Sequence, residues 1–279
     1  MTKGSAFSRG WLRVVCAALC IAAAGVHAAD ADKPAYEPIS GQEGKDVVWV
    51  PTPPVTVEKM MDVAKIGAKD FVMDLGSGDG RNIIAAAKRS ANALGVEFNP
   101  EMVDYATKSA QKQGVGDKAK FVQGDMFTAD ISQATVMALF LLPDNLRKLN
   151  QKFLDLRPGT RIVVNTFGID GWEAAHTESA QGDCGAWCSV ILYIVPAKVA
   201  GTWRLPQGEL KLEQKAQTLT GTLTAGGVAK TLDIGRVNGE QVVFSVDGIE
   251  YSGRLNGDTI SGTVKSNVPG TWVATRVPQ

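Results

Sequence analysis

Apolar positions along this chain change their rhythm twice, and each change marks a boundary. Between residues 49 and about 196, short apolar runs alternate with longer amphipathic stretches, the rhythm of buried strands joined by crossover helices. The runs predict strands at 71–75, 93–97, 120–123, 136–141, 161–166 and 190–195. The 3.6-residue periodicity between them predicts helices at 55–66, 81–88, 100–113 and 144–156. Val50-Pro51-Thr52-Pro53-Pro54 leads into the first helix, and Gly114 and Gly116 end the third. Residues 173–178 can pair with the last strand as an antiparallel hairpin whose loop carries Cys184 and Cys188. Strands and helices in alternation specify an α/β fold on a doubly wound, mostly parallel sheet.

From Lys198 onward the helical rhythm disappears. Residues 198–279 are short Thr- and Val-rich segments broken at Gly208, Gly226-Gly227, Asn238-Gly239, Asp247-Gly248, Asn256-Gly257 and Pro269-Gly270. Roughly eight strands in about 80 residues follow from that spacing. An antiparallel up-and-down barrel closes such a sheet without exposed edges. Gly201-Thr202-Trp203 and Gly270-Thr271-Trp272 open the first and last strands and read as ends that meet on closure. Trp203, Phe244, Tyr251 and Trp272 are expected to fill this small all-β domain rather than line a ligand cavity.

At the other end, Lys3, Arg9 and Arg13 precede an uncharged apolar run at residues 14–26, too short for an ordinary membrane span. Val26-His27-Ala28 then offers a small-residue cleavage pattern. Residues 1–28 therefore read as a cleaved signal peptide of a bacterial protein that is periplasmic or secreted, with no transmembrane segment expected after cleavage. Residues 29–48, polar and carrying Pro34 and Pro38, read as a linker, and residues 49–197 as the larger domain. Cys16 and Cys20 fall in the signal. Cys184 and Cys188 remain, and an even pair in an oxidising compartment is expected to form a local disulfide. His176 is the only histidine beyond residue 28, too few ligands for zinc, so no metal is expected. With 29 Lys and Arg against 29 Asp and Glu, the chain lacks the basic surplus of a nucleic-acid binder, and none is expected as a partner. Loss of the signal removes three positive charges and leaves the remainder weakly acidic.

The chemistry concentrates at Val72-Met73-Asp74-Leu75-Gly76-Ser77-Gly78-Asp79-Gly80-Arg81, a G-x-G-x-G loop between a buried strand and a helix. Glycines allow close backbone approach to a ligand, and the helix start supplies free N–H groups. The glycines alternate at 76, 78 and 80, which does not match the dinucleotide fingerprint. Asp74 just before the loop would repel a pyrophosphate and suits a ligand with an ammonium group. Glu97 ends the second strand, where a carboxylate can accept both ribose hydroxyls. Asp125 follows the third strand in Gly124-Asp125-Met126, where it can accept from an adenine amino group while Met126 or Phe127 packs on the ring. Three acids at the carboxyl ends of successive strands form a crevice for a nucleoside-type ligand.

These motifs resemble the class I S-adenosylmethionine-dependent methyltransferases. Within them the chain is similar to the bacterial group related to the lysine methyltransferases of mitochondrial ATP synthase c-subunit and adenine nucleotide translocase. The resemblance spans residues 49–200 and includes Val50-Pro51-Thr52-Pro53, Gly95-Val96-Glu97-Phe98-Asn99-Pro100, Leu139-Phe140-Leu141-Leu142-Pro143 and Leu156-Arg157-Pro158-Gly159-Thr160-Arg161. It implies a Rossmann-like methyltransferase sheet with S-adenosylmethionine as cofactor. Asp74, Gly76, Ser77 and Gly78 would hold its methionine part, Glu97 the ribose, and Asp125 with Met126 the adenine. It further implies methyl transfer to an unknown acceptor, with a protein lysine or another amine favoured. Orientation and desolvation are then the main catalytic contributions, and no catalytic residue is assigned. Thr52, Pro53, Leu142 and Pro143 are expected to rim the acceptor site. The Asn/Asp-Pro-Pro-Tyr motif of methyltransferases acting on nucleobase or glutamine amino groups is absent. Where relatives tend to carry Ser-His after the fifth strand, this chain has Val164-Asn165-Thr166-Phe167, so no role carries over there. Trp172 and Trp187 read either as a substrate-facing pair or as packing residues. The alternative to an enzyme is a non-catalytic adenosyl-ligand-binding or envelope interaction protein on the same fold. Oligomeric state is not specified.

Overall fold

Side chains of the first strand alternate between two cores, and that alternation sets the layering. The computed structural model describes residues 1, 36–45, 47–266 and 269–278, and residues from Glu37 onward form one compact unit. Residues 2–28 of the predicted signal peptide and the first part of the predicted linker lie outside the described residues. In β1 (Phe71–Leu75), Val72 faces one core while Met73 and Leu75 face the other. The chain continues through α2 (Arg81–Lys88), β2 (Asn92–Glu97), α3 (Pro100–Lys112), β3 (Ala119–Gln123), β4 (Val136–Leu139), α4 (Pro143–Leu154), β5 (Arg161–Asn165), β6 (His176–Ser179) and β7 (Ser189–Ile194). A leading helix, α1 (Pro54–Val63), precedes them.

The sheet order is β3-β2-β1-β4-β5-β7-β6. Strands β1 to β5 are parallel, β7 runs antiparallel to β5, and β6 pairs antiparallel with β7. On one face, Val72, Val136, Ala138 and Val163 pack under Met60 and Met61 of α1 and Ile83 of α2. On the other, Met73, Met137, Leu139 and Ile162 meet Leu146, Leu149 and Phe153 of α4. Both faces being covered explains why the strands read as continuous apolar runs.

Three predicted boundaries shift for local reasons. The first helix stops at Val63 because Lys65 turns left-handed (φ 51°), which returns Ile66 to the core. The fourth strand ends at Leu139, because Leu142 caps α4 with Pro143 in its first turn. The fifth ends at Asn165, because Thr166 takes φ 64°, an unusual value for a β-branched residue.

The C-terminal segment comprises β8 (Gly201–Leu205), β9 (Gly208–Lys215), β10 (Thr218–Ala225), β11 (Val228–Thr231), β12 (Ile234–Asn238), β13 (Gln241–Val246), β14 (Ile249–Asn256), β15 (Thr259–Lys265) and β16 (Gly270–Arg276). Both β11 and β12 pair with β10, with a register shift of one residue between them, so they act as one bulged strand and the sheet closes as an eight-stranded antiparallel barrel. The two Gly-Thr-Trp strands do meet: Arg276 of β16 is opposite Trp203 of β8. Side chains fill the interior. Trp203 and Phe244 are fully buried, and Phe244 stacks on Tyr251 at 4.7 Å with Trp272 edge-on.

This barrel is seated at the amino-terminal edge of the parallel strands. Gly239 rests against Gly159, just before β5, and against Ile194, the end of β7, and its carbonyl accepts from the Ala197 N–H at 2.7 Å. The Gln217 amide takes the Glu173 N–H at 3.2 Å, and Arg236 pairs with Glu173 at 2.6 Å. Replacing Trp203 with Ala removes the largest buried side chain and strands the Val199 carbonyl it donates to at 2.9 Å. Urea unfolding of the Trp203→Ala variant should show a loss of about 3–5 kcal/mol.

Candidate cofactor and acceptor site

The turn after β1 is built from left-handed residues: Gly76, Gly78 and Gly80 have φ of 70°, 53° and 82°. Only glycine takes these values without strain. The Gly76 and Ser77 N–H groups donate to the Val96 carbonyl at 2.8 and 3.1 Å, folding the loop onto the end of β2. Trp49 lies directly on Gly78, where an added Cβ would come within 2.3 Å of its indole nitrogen.

Asp74 is the most constrained group of the site. It is 3% exposed and faces α2, where Asn82 Nδ2 donates to its Oδ2 at 3.0 Å while Oδ1 has no hydrogen-bond partner among the described residues. Burial pushes its pKa well above the ordinary carboxylate value. Asn82 opposes that shift, and the nearby charges of Glu97 and Asp79 reinforce it. Glu97 is oriented by two backbone donors, Gly78 N–H on Oε2 and Asn99 N–H on Oε1, both at 2.9 Å. Asp125 accepts the Phe127 N–H at 2.9 Å and pairs with Lys45 at 2.7 Å. The Lys45 hydrogen bond holds the Asp125 pKa below the usual range.

One cavity joins these groups across the carboxyl ends of the strands. Asp125 and Met126 lie at its β3 end, Glu97 at β2, and Asp74, Gly76 and Ser77 at β1; Phe140, Leu141 and Leu142 follow β4, Phe167 follows β5, and Trp187 precedes β7. Five buried side-chain atoms lack a partner among the described residues, and four belong to cavity-lining Asp74, Ser77, Asn82 and Asn145. Unpaired polar atoms at this density mark a ligand surface, since the same groups in a dry core would be costly.

Thr52 and Leu142 line the cavity, whereas Pro53 and Pro143 sit behind it at the starts of α1 and α4. The Thr52 carbonyl accepts from Arg81 at 2.6 Å, and Arg81 also clasps Asp79, fastening the leading loop to the glycine turn. The tryptophan pair divides. Trp187 lines the cavity, while Trp172 is buried in the second core, donating to Asn150 at 2.6 Å and packing edge-on against Tyr193.

Sequence reading missed other lining residues. Gln42, Lys45, Val47 and Val48 come from the stretch read as linker, Asn145 from the first turn of α4, and Phe140 and Phe167 from strand ends. Cys184 and Cys188 are joined in the loop between β6 and β7, as expected. Among the described residues no cluster of His, Cys, Asp and Glu could hold a metal. The barrel contributes nothing to the lining.

Residues 74–176 match the family model described as the ANTKMT methyltransferase domain. The chain is 41% identical over 152 residues to a protein-lysine N-methyltransferase of Saccharolobus islandicus (strain REY15A), covering 53% of this chain and 94% of that relative. This chain belongs to the ANTKMT-type methyltransferase family. The ATP synthase c-subunit lysine N-methyltransferase of Rattus norvegicus is 33% identical over 143 residues, covering 50% of this chain and 66% of that relative. Among solved structures, an RNA methyltransferase from Salinibacter ruber in complex with S-adenosylhomocysteine shares 39% identity at a TM-score of 0.50, covering 54% of this chain and 96% of that one. The protein is thus an S-adenosylmethionine-dependent methyltransferase on a Rossmann-like sheet. The cavity fits the cofactor: a buried carboxyl group and unpaired polar atoms at the glycine turn suit a cationic methionine moiety, and the Glu97 and Asp125 carboxylates line the same cavity as hydrogen-bond acceptors.

A raised Asp74 pKa has a defined sign. Its protonated form favours the ligand-free fold at low pH, and that contribution is lost as pH rises from the ordinary carboxylate value through the raised one. Affinity for a cationic ligand runs the other way, falling as Asp74 gains its proton. Calorimetry should therefore show S-adenosylmethionine binding weakening with acidification at a pH above the normal carboxylate range. Asp74→Asn should lower that affinity about 10- to 100-fold, while thermal unfolding of the ligand-free variant occurs at an equal or higher temperature.

Proposed function

We propose that this protein is an exported protein-lysine N-methyltransferase. The observation carrying the acceptor class is the 41% identity with an enzyme of that stated activity, over 94% of that enzyme's length. S-adenosylmethionine supplies an electrophilic sulfonium methyl when bound. The chain supplies the rest. Asp74, the glycine turn and Glu97 orient the cofactor, and residues 42–45 and 47–52 line the same cavity. Phe140, Leu141, Leu142, Phe167 and Trp187 surround the far end with apolar surface. A lysine entering such a surface loses hydration, which disfavours its ammonium form and makes the neutral nucleophile accessible. Asn145, three residues after Leu142, also lines the cavity, and its Nδ2 has no partner among the described residues.

Export is supported by Lys3, Arg9 and Arg13 before the apolar run, by Ala28 as a cleavage residue, and by a disulfide within the catalytic domain. The relative named an RNA methyltransferase raises nucleic acid as a rival acceptor, and balanced charge weighs against it.

Incubating the protein with methyl-labelled cofactor and a cell extract tests the acceptor. Label should appear as methyl-lysine after acid hydrolysis of the protein fraction, and label confined to RNA would overturn the lysine reading. N-terminal sequencing of protein expressed with its leader should begin at Ala29, recovered with the periplasmic or extracellular fraction.

A further inference from the structure

We propose that the Cys184–Cys188 disulfide is a positioning element of the methyl-acceptor site, holding Trp187 in an aromatic wall that receives the apolar stem of the acceptor side chain. Identifying that stem as lysine rests on the proposed function; the wall itself rests on geometry. The three acids that suit the cofactor stand at the carboxyl ends of β1, β2 and β3: Asp74 is the last residue but one of β1, Glu97 ends β2 and Asp125 follows β3. The wall stands at the opposite end of the cavity, after β4 and β5 and before β7. It consists of Phe140, Phe167 and Trp187, with ring centroids 5.4, 6.0 and 6.3 Å apart. Rings that touch one another leave no space between them for a ligand. They form a continuous surface suited to a chain of methylene groups rather than a cage around a cation.

Each ring is held by a different constraint. Phe140 directly follows β4, whose last residue, Leu139, is fully buried. Phe167 is turned inward by Thr166: its N–H reaches back to the Asn165 carbonyl at 2.7 Å across the left-handed threonine. Such strain in a β-branched residue persists only where the surroundings enforce it. Trp187 lies inside the ring closed by the disulfide. Its N–H donates to the Cys184 carbonyl at 2.8 Å, and its carbonyl accepts from Thr56 Oγ1 of α1 at 2.9 Å. The Ala180 N–H donates to the Cys188 carbonyl at 2.8 Å and closes the loop. A cross-link spanning four residues constrains the unfolded chain far less than a long-range one. Its main consequence is therefore local shape, and the shape it sets is the placement of Trp187.

The test uses full-length mature protein saturated with S-adenosylhomocysteine and two probes, N-acetyl-lysine methylamide and N-acetyl-norleucine methylamide, titrated by ligand-observed NMR. Both should bind the wild type. Trp187→Ala and the double variant Cys184→Ser/Cys188→Ser should each raise both dissociation constants at least about fivefold. Trp187→Phe should stay within about twofold of wild type, and S-adenosylhomocysteine affinity within about twofold in every variant. Reducing wild-type protein with a phosphine, which opens the bond to two thiols as the phosphine is oxidised, should reproduce the double variant without any substitution. Unchanged probe binding on reduction and in the double variant overturns the proposal. So does a parallel fall in S-adenosylhomocysteine affinity, which would reveal a general structural role, or failure of both probes to bind wild type. If only the norleucine probe binds, and does so through Trp187, the wall stands and the lysine reading falls.

Discussion

The arrangement turns on one carboxylate placed where a carboxylate is least comfortable. Asp74 sits at the end of a central strand, closed in by α2 and the glycine turn, with one oxygen held by Asn82 and the other unpaired. Ionising it there is unfavourable until a cation arrives. The fold accepts this because both sheet faces bury large apolar surfaces around it, with Met60, Met61 and Ile83 on its own side and Leu146, Leu149 and Phe153 on the other. A carboxyl group so buried would favour a positive ligand over a neutral or anionic nucleoside, a discrimination that an exposed, hydrated carboxylate would supply only weakly.

Much of this was readable in the linear chain because its signals are local. Alternating glycines at 76, 78 and 80 need left-handed backbone whatever surrounds them, and acids at strand ends project from one edge of a parallel sheet by construction. The apolar periods located the elements of the larger domain except β6, which is polar throughout and legible only as a pairing partner of the last strand, and the paired Gly-Thr-Trp segments foretold the closing seam of the barrel. What stayed hidden was assembled from distance. Gln42, Lys45, Val47 and Val48 show no periodicity, and they line the cavity through distant contacts such as Lys45 reaching Asp125, 80 positions away. Phe140, Phe167 and Trp187 belong to three separate segments, and each alone resembles an ordinary apolar residue at a strand end. The strain at Thr166 has no signature in its residue type, since threonine normally avoids that conformation.

The two halves of the chain divide their labour by position. Every residue lining the cavity lies between Gln42 and Trp187, and the barrel docks on the opposite edge of the sheet through Gly239, Gln217 and Arg236. Loops at the carboxyl edge are thus free to specialise for an acceptor, while the amino edge carries a rigid attachment. The disulfide belongs to the first of these regions, and α1 braces the loop it closes through Thr56, which donates to the Trp187 carbonyl.

The seam of the barrel has a consequence for how the chain reaches its native state. Strand β16 closes against β8, joining residues about 70 positions apart, while most other barrel pairs are neighbours linked by tight turns. Tight hairpins form in microseconds. The seam must instead overcome a loop-closure entropy on the order of 4 kcal/mol before its hydrogen bonds are made. Until then β8, attached to an already compact α/β domain, presents an open edge to any passing strand. During synthesis the interval between emergence of β8 and arrival of β16 is the period of greatest vulnerability to intermolecular pairing, and β16 acts as the protective cap of that edge.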